Sequence, residues 1–436
     1  MTQMPLIFAA ISDIAGKVRG KAFPADHLEK RLIRGVGWTP TNVQITCFDS
    51  IADSPFGALG DLLLIPDPEA AADVGFSQDC NEHFMLGDIT TLDGDPWDLC
   101  TRSMLKAALK RLHDTAGVHL VSAFEHEFQL LAPPARDHQA YGREGFELQR
   151  VLCETLMAGL KTAGLDPDSI MKEYGPNQYE VVVGPVQGVR SADQAVILRE
   201  LTRSAARSLG ETATFSPIRD PASVGNGVHI HMSFVDEAGM PVTHDTAGPC
   251  GMSQITDAFS AGVLRYLPHI IALTAPSVIS YVRLTPHRWS AAYNNLGFRD
   301  REAALRVCPV TAKDPASIAR QFNIEYRAAD AAASPYLALA AIVHAGAQGI
   351  EDGLKAPAPT EEDLSLLDTE TLQSRGIVRL PETLEAALDA FEASATVTGW
   401  FPKDFATVYR AHKDAEIAHL ADMDIAACCA AYEATY

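Results

Sequence analysis

One strand-like stretch, residues 121–131 (VSAFEHEFQLL), constrains the fold of this chain most strongly. Side chains alternate between the two faces of a β-strand. One face therefore carries Phe124, His126, Phe128 and Leu130, and the other carries Glu125, Glu127 and Gln129. Neighbouring carboxylates repel each other unless a positive charge neutralises them, and a divalent cation is the simplest such charge. The alternative is a half-exposed strand with a solvated acidic face, and this stretch alone leaves both interpretations open.

Further potential ligands occur beside other apolar, strand-like segments. They are Glu173, Glu180, His229, His231 and Glu325. Alternation along residues 228–233 places His229, His231 and Ser233 on one face, with apolar side chains on the other. A lone pair of histidines could be ordinary hydrogen-bonding residues. Five carboxylates with an imidazole, however, suit Mg²⁺ or Mn²⁺. Structural zinc is not indicated, because no cysteine belongs to the set.

A cluster of arginines is the second chemical signal. Arg283, Arg299, Arg301, Arg306 and Arg327 fall within 45 residues of an otherwise acidic chain. Arginine binds carboxylates and phosphates in a bidentate manner, and arginines with metal ions are typical of phosphoryl transfer. The alternative is a set of surface arginines paired with the abundant acids. No Walker A sequence or kinase-type glycine-rich loop is present, so any nucleotide would need a different architecture.

Composition narrows the class of protein. The 436 residues include 47% hydrophobic residues, enough for a large core, and the formal net charge is −21. This charge argues against a general nucleic-acid or anionic-membrane surface. The eight cysteines form no C-x-x-C pair, which favours reduced thiols. Without a signal-peptide pattern or an apolar run of about 18 residues, we expect a soluble, cytoplasmic protein with no membrane span.

The chain predicts an α+β protein with two domains. Short strand-like segments dominate its beginning, including residues 43–48 and 61–65, the second of which is expected to end at Pro66. A turn-rich segment, residues 93–97 (DGDPW), follows them. We therefore predict a β-rich N-terminal domain over residues 1–95 and a larger α+β domain over residues 96–436 that holds the acidic strands.

Eight sequence blocks, in order, resemble the glutamine synthetase family. They are EHE at 125–127, KEYGPNQYE at 172–180, ATFSP at 213–217, GNGVHIHMS at 225–233, SYVRLTP at 280–286, RDREAALR at 299–306, IEYR at 324–327 and SPYL at 334–337. The corresponding family blocks are E-P-E, paired metal glutamates around G-Q-x-E, T-A-T-F-M-P, G-S-G-M-H-x-H-x-S, N-S-Y-x-R-L-x-P, R-N-R-S-x-x-x-R, I-E-x-R and N-P-Y-L. This ordered set makes the resemblance specific.

The resemblance implies a β-grasp N-terminal domain and a catalytic domain with a curved antiparallel sheet and flanking helices. It implies ATP and Mg²⁺ or Mn²⁺ as cofactors. It also implies a homo-oligomer, often a dodecamer of two stacked hexameric rings, with each active site between one catalytic domain and a neighbour's N-terminal domain. Small-molecule substrates, an amino-acid donor and an amine acceptor, are the expected partners.

The resemblance also implies a role for each matching residue. One metal would be held by Glu127, Glu173 and Glu180, and the metal on the ATP phosphates by Glu125, His229 and Glu325. The amino-acid substrate would contact Gly225, Arg283 and Arg327. The transferring phosphate would be neutralised by Arg301 and Arg306, and the nucleotide would be bordered by His231 and Ser233, with Arg320 nearby.

Departures from the family pattern affect the choice of substrate. In ammonia-using members, a glutamate lies six residues after the arginine of R-L-x-P, whereas this chain has Trp289. An indole can pack against an alkyl or aryl group but cannot neutralise ammonium as a carboxylate does. The family's substrate-binding asparagine is replaced by Val224, and its arginine before the metal glutamate by Asn323. Asp49 is the candidate for the family's ammonium-site aspartate. It would reach the active site from an adjacent subunit and accept the proton of the amine there.

These observations lead to three functional hypotheses. The first is an ATP-dependent ligase that joins the γ-carboxylate of glutamate to an organic amine through a γ-glutamyl phosphate. The acceptors considered are alkylamines, polyamines, ethanolamine and aromatic amines. The second is a true glutamine synthetase with an altered ammonium site. The third is a non-catalytic structural or regulatory family member, against which the presence of all six metal-ligand residues argues.

Overall fold

The computed structural model describes residues 4–77, 80–131 and 139–436. Its N-terminal part is a five-stranded sheet in the order β2-β1-β5-β4-β3, in which only the β1–β5 pair is parallel. The elements are β1 (Leu6–Ser12), β2 (Val18–Pro24), α1 (Leu28–Arg34), β3 (Val36–Trp38), β4 (Leu62–Ser77) and β5 (Cys80–Thr90), with 3₁₀ helices at Ala25–His27 and Pro40–Gln44.

Two predictions about the strands of this domain were wrong, one in the kind of element and one in where the strand ends. Residues 43–48 were expected to form a strand, but a 3₁₀ helix covers Pro40–Gln44 and only an isolated bridge joins Ile45 to Ile51. Proline at the first helical position stabilises such a turn because its φ is already fixed. The strand expected to end at Pro66 instead continues to Ser77, because the register of β4 on β5 shifts between Pro66 and Ala71. A register irregularity is one of the places where a sheet accepts proline.

The rest of the chain builds a second, larger sheet with helices around it. Its elements are α2 (Thr101–Ala116), β6 (His119–Leu130), α3 (Arg143–Leu148), α4 (Arg150–Thr162), β7 (Pro167–Lys172), β8 (Gln178–Val183), β9 (Val186–Gln187), α5 (Arg190–Ser208), β10 (Ala213–Thr214), β11 (Gly227–Val235), α6 (Gln254–Thr274), α7 (Ser280–Arg283), β12 (Leu296–Phe298), β13 (Leu305–Val307), α8 (Pro315–Gln321), β14 (Ile324–Asp330), α9 (Pro335–Glu351), α10 (Thr369–Ser374), α11 (Leu384–Ala393), α12 (Ala395–Thr398), α13 (Phe405–Leu420) and α14 (Ile425–Glu433). Short 3₁₀ helices cover Pro249–Gly251 and Leu364–Leu366.

The order of the main strands in the larger sheet is β12-β13-β14-β11-β6-β8-β7, and β9 and β10 also pair with β6. Every pair is antiparallel except β12–β13. The predicted α+β class is thus confirmed, as are the N-terminal sheet domain and the larger sheet with flanking helices. The sheet is otherwise antiparallel, as expected, and β12–β13 is its one parallel pair among the described residues.

Alternation along the strands gives the larger sheet one apolar face, which packs into the core, and one face that carries the charged residues. On β6, Phe124, His126, Phe128 and Leu130 are all at most 2% exposed and join the main core, as predicted. The opposite face of β6 carries Glu125 and Glu127. Helices α6 and α9 are apolar on nearly every side, and most of their residues are buried, which is typical of helices inside a large core.

The N-terminal sheet shares this core. Ala10, Phe84 and Leu86 pack into the main cluster, whereas Ile7 and Ile11, on the opposite face, belong to a smaller cluster. The two sheets are therefore joined by apolar contacts. No helix within the described ranges is both long and apolar enough to cross a membrane.

Candidate active site

Strand register places the charged residues in a row across the larger sheet. Glu180 on β8 lies opposite Glu127 on β6, and Glu125 on β6 lies opposite His229 on β11. Glu325 on β14 in turn lies opposite both His231 on β11 and Arg306 on β13. Neighbouring strands are about 4.8 Å apart, so each functional side chain has the next within contact distance. Five strands thus build one side of a cavity of about 560 Å³.

Glu125, His229 and Glu325 form one compact group of potential metal ligands. One ligand atom from each lies within 4.8 Å of the others. His229 Nδ1 is 3.5 Å from an oxygen of each carboxylate. Burial opposes ionisation of Glu125, but hydrogen bonds from His229 and His231 hold its pKa well below the ordinary value. Burial likewise opposes ionisation of Glu325, but the charge of Arg327 and the two histidines lowers its pKa to about 2. Both side chains are therefore ready as anionic ligands.

Glu127 and Glu180 form a second group, again with His229. Burial raises the pKa of Glu180 to about 9, and repulsion from Glu125, Glu127 and other carboxylates adds to this effect. Burial also raises the pKa of Glu127 to about 7, although Arg283 and the backbone N–H of Gly227 oppose the shift. A raised pKa means that the ionised carboxylate is destabilised, and a bound cation would stabilise it.

Glu173 lies in the same cavity but outside both compact groups of the described chain. Its side chain is buried, and its carboxylate accepts a hydrogen bond from the backbone N–H of Tyr174 at 3.0 Å. The hydroxyl of Tyr141 also bonds to it. These two contacts hold the carboxylate in place.

The two histidines of β11 have opposite electrostatic character. Burial, reinforced by Arg327, lowers the pKa of His229 to about 4, so its imidazole is neutral and free to bind a metal. Burial would also lower the pKa of His231, but contacts with Cys308 and Glu125 raise it well above the ordinary value. His231 Nε2 lies 3.1 Å from Glu125 Oε1, and its Nδ1 lies 2.9 Å from Asn323 Oδ1.

Three arginines, Arg301, Arg306 and Arg327, also line the cavity. Arg306 donates to Glu325 Oε2 at 2.7 Å, and Arg327 pairs with the other oxygen of Glu325. Arg327 also donates from Nε to the carbonyl of Arg301 at 2.9 Å. Arg301 lines the cavity with an exposed side chain. The guanidinium groups therefore lie among the carboxylates, and two of them contact Glu325 directly.

Glycines let the backbone approach Arg283 closely. A Cβ on Gly225 would lie 2.3 Å from the carbonyl oxygen of Pro217 and 2.9 Å from Arg283 Cδ. A Cβ on Gly227 would lie 2.4 Å from Arg283 Nη2. Arg283 is buried, and its Nη1 has no hydrogen-bond partner among the described residues. An anionic group of a ligand would satisfy that nitrogen.

Trp289 lies on a loop that is fixed at several points. Its backbone N–H donates to Glu302 Oε1 at 3.3 Å, and the N–H of His287 donates to the other oxygen of Glu302. Arg288 donates to the carbonyls of Pro221 and Ser223. Trp289 has a φ of 53°, which is uncommon for a residue with a side chain and needs such support.

Aromatic side chains border the cavity on one side: Tyr141 and Trp289 line it, and Tyr174 packs against Trp289. The indole of Trp289 packs edge-on against Tyr174, with ring centroids 4.9 Å apart. Tyr141 and Met171 line the same cavity. The three aromatic side chains are each about half exposed, and we call Tyr141, Tyr174 and Trp289 the aromatic rim. The rim places apolar surface next to the acidic group of Glu173.

Five predicted site residues do not line the cavity of the single chain: Gly225 and Arg283, which pack against each other, and Asp49, Arg320 and Ser233. Asp49 is exposed on the N-terminal domain and forms an ion pair with Arg19 at 2.9 Å. Arg320 is exposed in the last turn of α8 and donates to Ser317 Oγ. Ser233 lies farther along β11, opposite Val121. Their roles stay predictions.

Sequence reasoning missed several residues that shape the site. Gln178 donates from Nε2 to Glu127 Oε2 at 3.3 Å and to the carbonyl of Gly225 at 2.9 Å. Cys308 lies 3.6 Å from Glu325 Oε2. Gln178 is part of the G-Q-x-E element, which was a usable signal. Tyr141, Tyr174 and Glu302 lie in irregular segments, and no periodic pattern marks them.

The donor set fits hard divalent cations with a phosphate-bearing ligand. Carboxylate oxygens dominate it, one neutral imidazole completes it, and no thiol belongs to either compact group. Burial raises the pKa of Glu180, and repulsion from neighbouring carboxylates, which a bound cation would relieve, raises it further. The guanidinium groups of Arg301, Arg306 and Arg327 are placed to receive anionic oxygens.

Known protein families match nearly the whole chain. The catalytic domain of glutamine synthetase matches residues 98–426, and the glutamine synthetase N-terminal domain matches residues 1–97. Gamma-glutamylpolyamine synthetase GlnA3 of Streptomyces coelicolor is 32% identical over 408 residues, which cover 90% of this chain and 85% of that protein. Type-1 glutamine synthetase 1 of Dictyostelium discoideum is 29% identical over 420 residues, covering 89% and 81% of the two chains.

Solved structures agree in fold. A crystal structure of a novel glutamine synthase homolog superposes with a TM-score of 0.92 at 38% identity, covering 100% of this chain and 99% of that one. The GmaS/ADP complex in conformation 1 gives a TM-score of 0.83 at 25% identity, covering 97% and 95%. Together with the ordered motifs and the acidic cavity, these similarities show that the chain belongs to the glutamine synthetase family of ATP-dependent ligases.

Proposed function

We propose that this enzyme joins the γ-carboxylate of glutamate to an organic amine, with ATP providing the driving force. The observation that carries this proposal is the aromatic rim, with Trp289 where ammonia-using relatives have a carboxylate. Aromatic faces attract alkylammonium groups and pack against their carbon chains. Ammonium has no carbon chain, so it would gain the attraction of the ring faces but none of the apolar packing.

The proposed roles of the cavity residues follow from charge and position. Glu125, Glu127, Glu173, Glu180, His229 and Glu325 would hold Mg²⁺ or Mn²⁺, which neutralises phosphate charge when bound. Arg301 and Arg306 would receive the oxygens of the transferring phosphate. The buried Nη1 of Arg283, with Gly225 and Arg327, would receive the amino-acid donor. His231, Ser233 and Arg320 would border the nucleotide.

Transfer of phosphate to the donor's side-chain carboxylate would give an acyl phosphate and ADP. A neutral amine would then attack the acyl carbon, lose a proton and expel inorganic phosphate. Trp289 and Tyr174 would position the carbon chain of the amine next to that carbon. Asp49 would accept the proton from an adjacent subunit in a ring-shaped homo-oligomer. Its exposed carboxylate on the N-terminal domain is compatible with that role.

Among organic amines, polyamines are our first choice of acceptor. The relative at 32% identity is a gamma-glutamylpolyamine synthetase. A polyamine carries positive charges separated by methylene groups. The aromatic rim offers apolar surface to the methylene groups, and its ring faces attract the ammonium groups.

Glutamine synthesis from ammonia is the second candidate. Relatives named glutamine synthetase match at 28–30% identity, including the enzyme of Pyrococcus furiosus at 29% over 392 residues. An ammonium site would then need a carboxylate other than the one that Trp289 replaces.

The two candidates are separated by phosphate release from ATP with Mg²⁺ and glutamate. Ammonium, methylamine, ethanolamine, putrescine, spermidine and an aromatic amine would be compared as acceptors, with mass spectrometry of each product. We expect turnover with one organic amine far above turnover with ammonium. Turnover with ammonium alone would instead establish glutamine synthesis.

A further inference from the structure

A cluster of two histidines and one glutamate lies outside the cavity. His113 is in the last turn of α2, which ends at Gly117 in the left-handed conformation with a φ of 63°. His119 begins β6 two residues later. Glu237 is in the turn after β11, whose last residue, Val235, pairs with His119. Three separate elements thus bring their side chains together at one end of the sheet.

This cluster is distinct from the catalytic cavity. His119 and Glu125 lie on the same strand, six residues apart, which corresponds to roughly 20 Å. None of the three side chains lines the acidic cavity. Their side chains are accessible, with exposed fractions of 36% for His113, 32% for His119 and 68% for Glu237.

The distances within the cluster are close to those of a metal site. His113 Nε2 lies 2.8 Å from Glu237 Oε1, and His119 Nε2 lies 3.5 Å from Glu237 Oε2. One ligand atom from each residue lies within 4.8 Å of the others, and the imidazole centroids are 4.7 Å apart. Tetrahedral zinc, with bonds of about 2.0–2.1 Å, separates its ligand atoms by roughly 3.3 Å. Small side-chain rotations would reach that geometry.

We propose that His113, His119 and Glu237 form a second metal site, selective for Zn²⁺ and similar late first-row divalent ions. Two imidazoles with one carboxylate suit zinc better than magnesium, which favours oxygen ligands. Water would complete the coordination because the cluster is accessible. A metal here would fasten the corner between α2 and β6 to the turn after β11. This site does not depend on which amine the enzyme uses.

Zinc binding to site variants tests the proposal. Bound Zn²⁺ per chain would be measured by equilibrium dialysis and metal analysis in excess Mg²⁺, which competes for the catalytic carboxylates. We expect His113→Ala and His119→Ala each to bind about one Zn²⁺ fewer than the parent protein. His27→Ala, a substitution of an exposed histidine on the N-terminal domain, should bind as much as the parent. Equal binding by all four proteins would overturn the site.

A second measurement uses the unaltered protein and so does not depend on how the variants fold. Diethylpyrocarbonate modification of each histidine would be mapped by mass spectrometry with Mg²⁺ alone and with Mg²⁺ plus Zn²⁺. Zinc should protect His113 and His119 at least about tenfold but leave His27 reactive, because ligation occupies the ring nitrogen. Unchanged reactivity of both cluster histidines would refute zinc ligation.

Discussion

Trp289 is the residue that we propose determines which acceptor is used. Its indole contacts Tyr174 at the cavity mouth, while its backbone is held by Glu302 and by Arg327, whose Nη2 lies 3.4 Å from the Trp289 carbonyl oxygen. The same guanidinium also contacts the proposed metal ligand Glu325. The side chain of Arg327 therefore links Trp289, which we propose selects the acceptor, directly to the proposed metal ligand Glu325.

Substituting Trp289→Glu should shift preference from organic amine toward ammonium. A carboxylate would attract ammonium, whereas removing the indole takes away apolar contact with the amine. The ratio of kcat/KM values for the best organic amine and for ammonium should fall by roughly ten- to hundredfold. His287→Glu is the matched control, since it adds the same charge to an exposed position of the same loop. An unmoved ratio in the Trp289 variant would place the acceptor elsewhere.

Glu127 tests the metal assignment. Its Oε2 accepts a hydrogen bond from the Gly227 N–H at 2.6 Å, and the residue belongs to one of the compact ligand groups. Glu127→Ala should lower turnover by more than about a hundredfold, because loss of a ligand costs at least as much as loss of its supporting contacts. Size-exclusion chromatography with light scattering should show unchanged assembly. Glu362→Ala, at an exposed surface ion pair, should keep full activity, and full activity of Glu127→Ala would reject the assignment.

At residue scale, the sequence predicted which side chains of a strand share a face, but not which loop residues join them. Alternation correctly separated Phe124 and Phe128, in the core, from Glu125 on the cavity side. That separation depends only on local geometry. Tyr141 and Tyr174 lie in the rim because contacts between distant parts of the chain position their loops. No local sequence pattern indicates such contacts.

At the scale of elements, close helix packing depends on paired glycines. Gly262 of α6 and Gly349 of α9 allow the two backbones to touch. A Cβ on Gly262 would lie 2.2 Å from the carbonyl oxygen of Ala345 and 2.7 Å from Gly349 Cα. Backbone atoms cannot rotate away as a side chain can, so any added atom must push the helices apart.

Gly262→Ala should therefore destabilise the protein although alanine has the better helix propensity. Propensity would add about 1 kcal/mol of stability. Overpacking costs about 1–3 kcal/mol, and here backbone faces backbone, so we expect a net loss in the free energy of unfolding. Urea unfolding would measure it. Gly37→Ala on β3, where a Cβ meets nothing within 4 Å, is the control and should be nearly neutral. Equal stability of both variants would contradict the packing argument.

His344 of α9 gives the fold a definite response to acid. It is buried between Arg111 and the ring of Trp400, and burial together with the Arg111 charge lowers its pKa to about 3. In the unfolded chain a histidine protonates near pH 6.5. As the pH falls, His344 is therefore protonated in the unfolded state before it is protonated in the folded state. The stability due to neutral His344 is complete above pH 6.5 and is lost as the pH falls toward 3.

Replacing His344 by glutamine should flatten the acid limb of the stability curve. Between pH 6 and 4 the slope should decrease by up to about 1.4 kcal/mol per pH unit, the contribution of one proton. Chemical unfolding at several pH values would measure it. His126 and His412 are also buried with lowered pKa values, so part of the slope should persist. His27→Gln, at an exposed position, should leave the slope unchanged, and an unchanged slope in the His344 variant would contradict the assignment.

Strands were predictable from the sequence wherever apolar and polar residues alternate without interruption. The strands at residues 121–131, 179–183 and 228–235 were all foreseen and correspond to β6, β8 and β11. The strand expected at residues 43–48 was wrong because an apolar run alone does not distinguish a strand from a proline-initiated turn. Strand order could not be deduced locally, since β6 pairs with β8 and β11 across long stretches of chain.

At the scale of the whole molecule, the fold concentrates charge that no single element could hold. Each strand contributes one or two ionisable groups, and pairing across β8, β6, β11, β14 and β13 gathers them into one row. Burial raises the pKa values of Glu127 and Glu180, and repulsion from the carboxylates gathered beside them adds to the shift. The large apolar core shared by both sheets supports this concentration of charge, because rigid neighbours keep the carboxylates from moving apart.

The proposed ring assembly predicts that each active site contains residues from two neighbouring subunits. Asp49 is exposed on the N-terminal domain and lies outside the cavity of its own chain, whereas Glu127 lies inside it. If each site combines the catalytic domain of one subunit with the N-terminal domain of its neighbour, Asp49→Asn and Glu127→Ala damage different halves of a site. Each variant alone should be nearly inactive.

Mixed assemblies of the two variants should regain activity. In a random equal mixture, about one quarter of the sites would pair an intact catalytic domain with an intact N-terminal domain. Phosphate release after dissociating, mixing and reassembling the two variants should thus approach about one quarter of the parental rate. Each variant carried through the same procedure alone is the control. Absence of recovery, with mixed assemblies verified by mass spectrometry, would mean that Asp49 acts within its own chain or not at all.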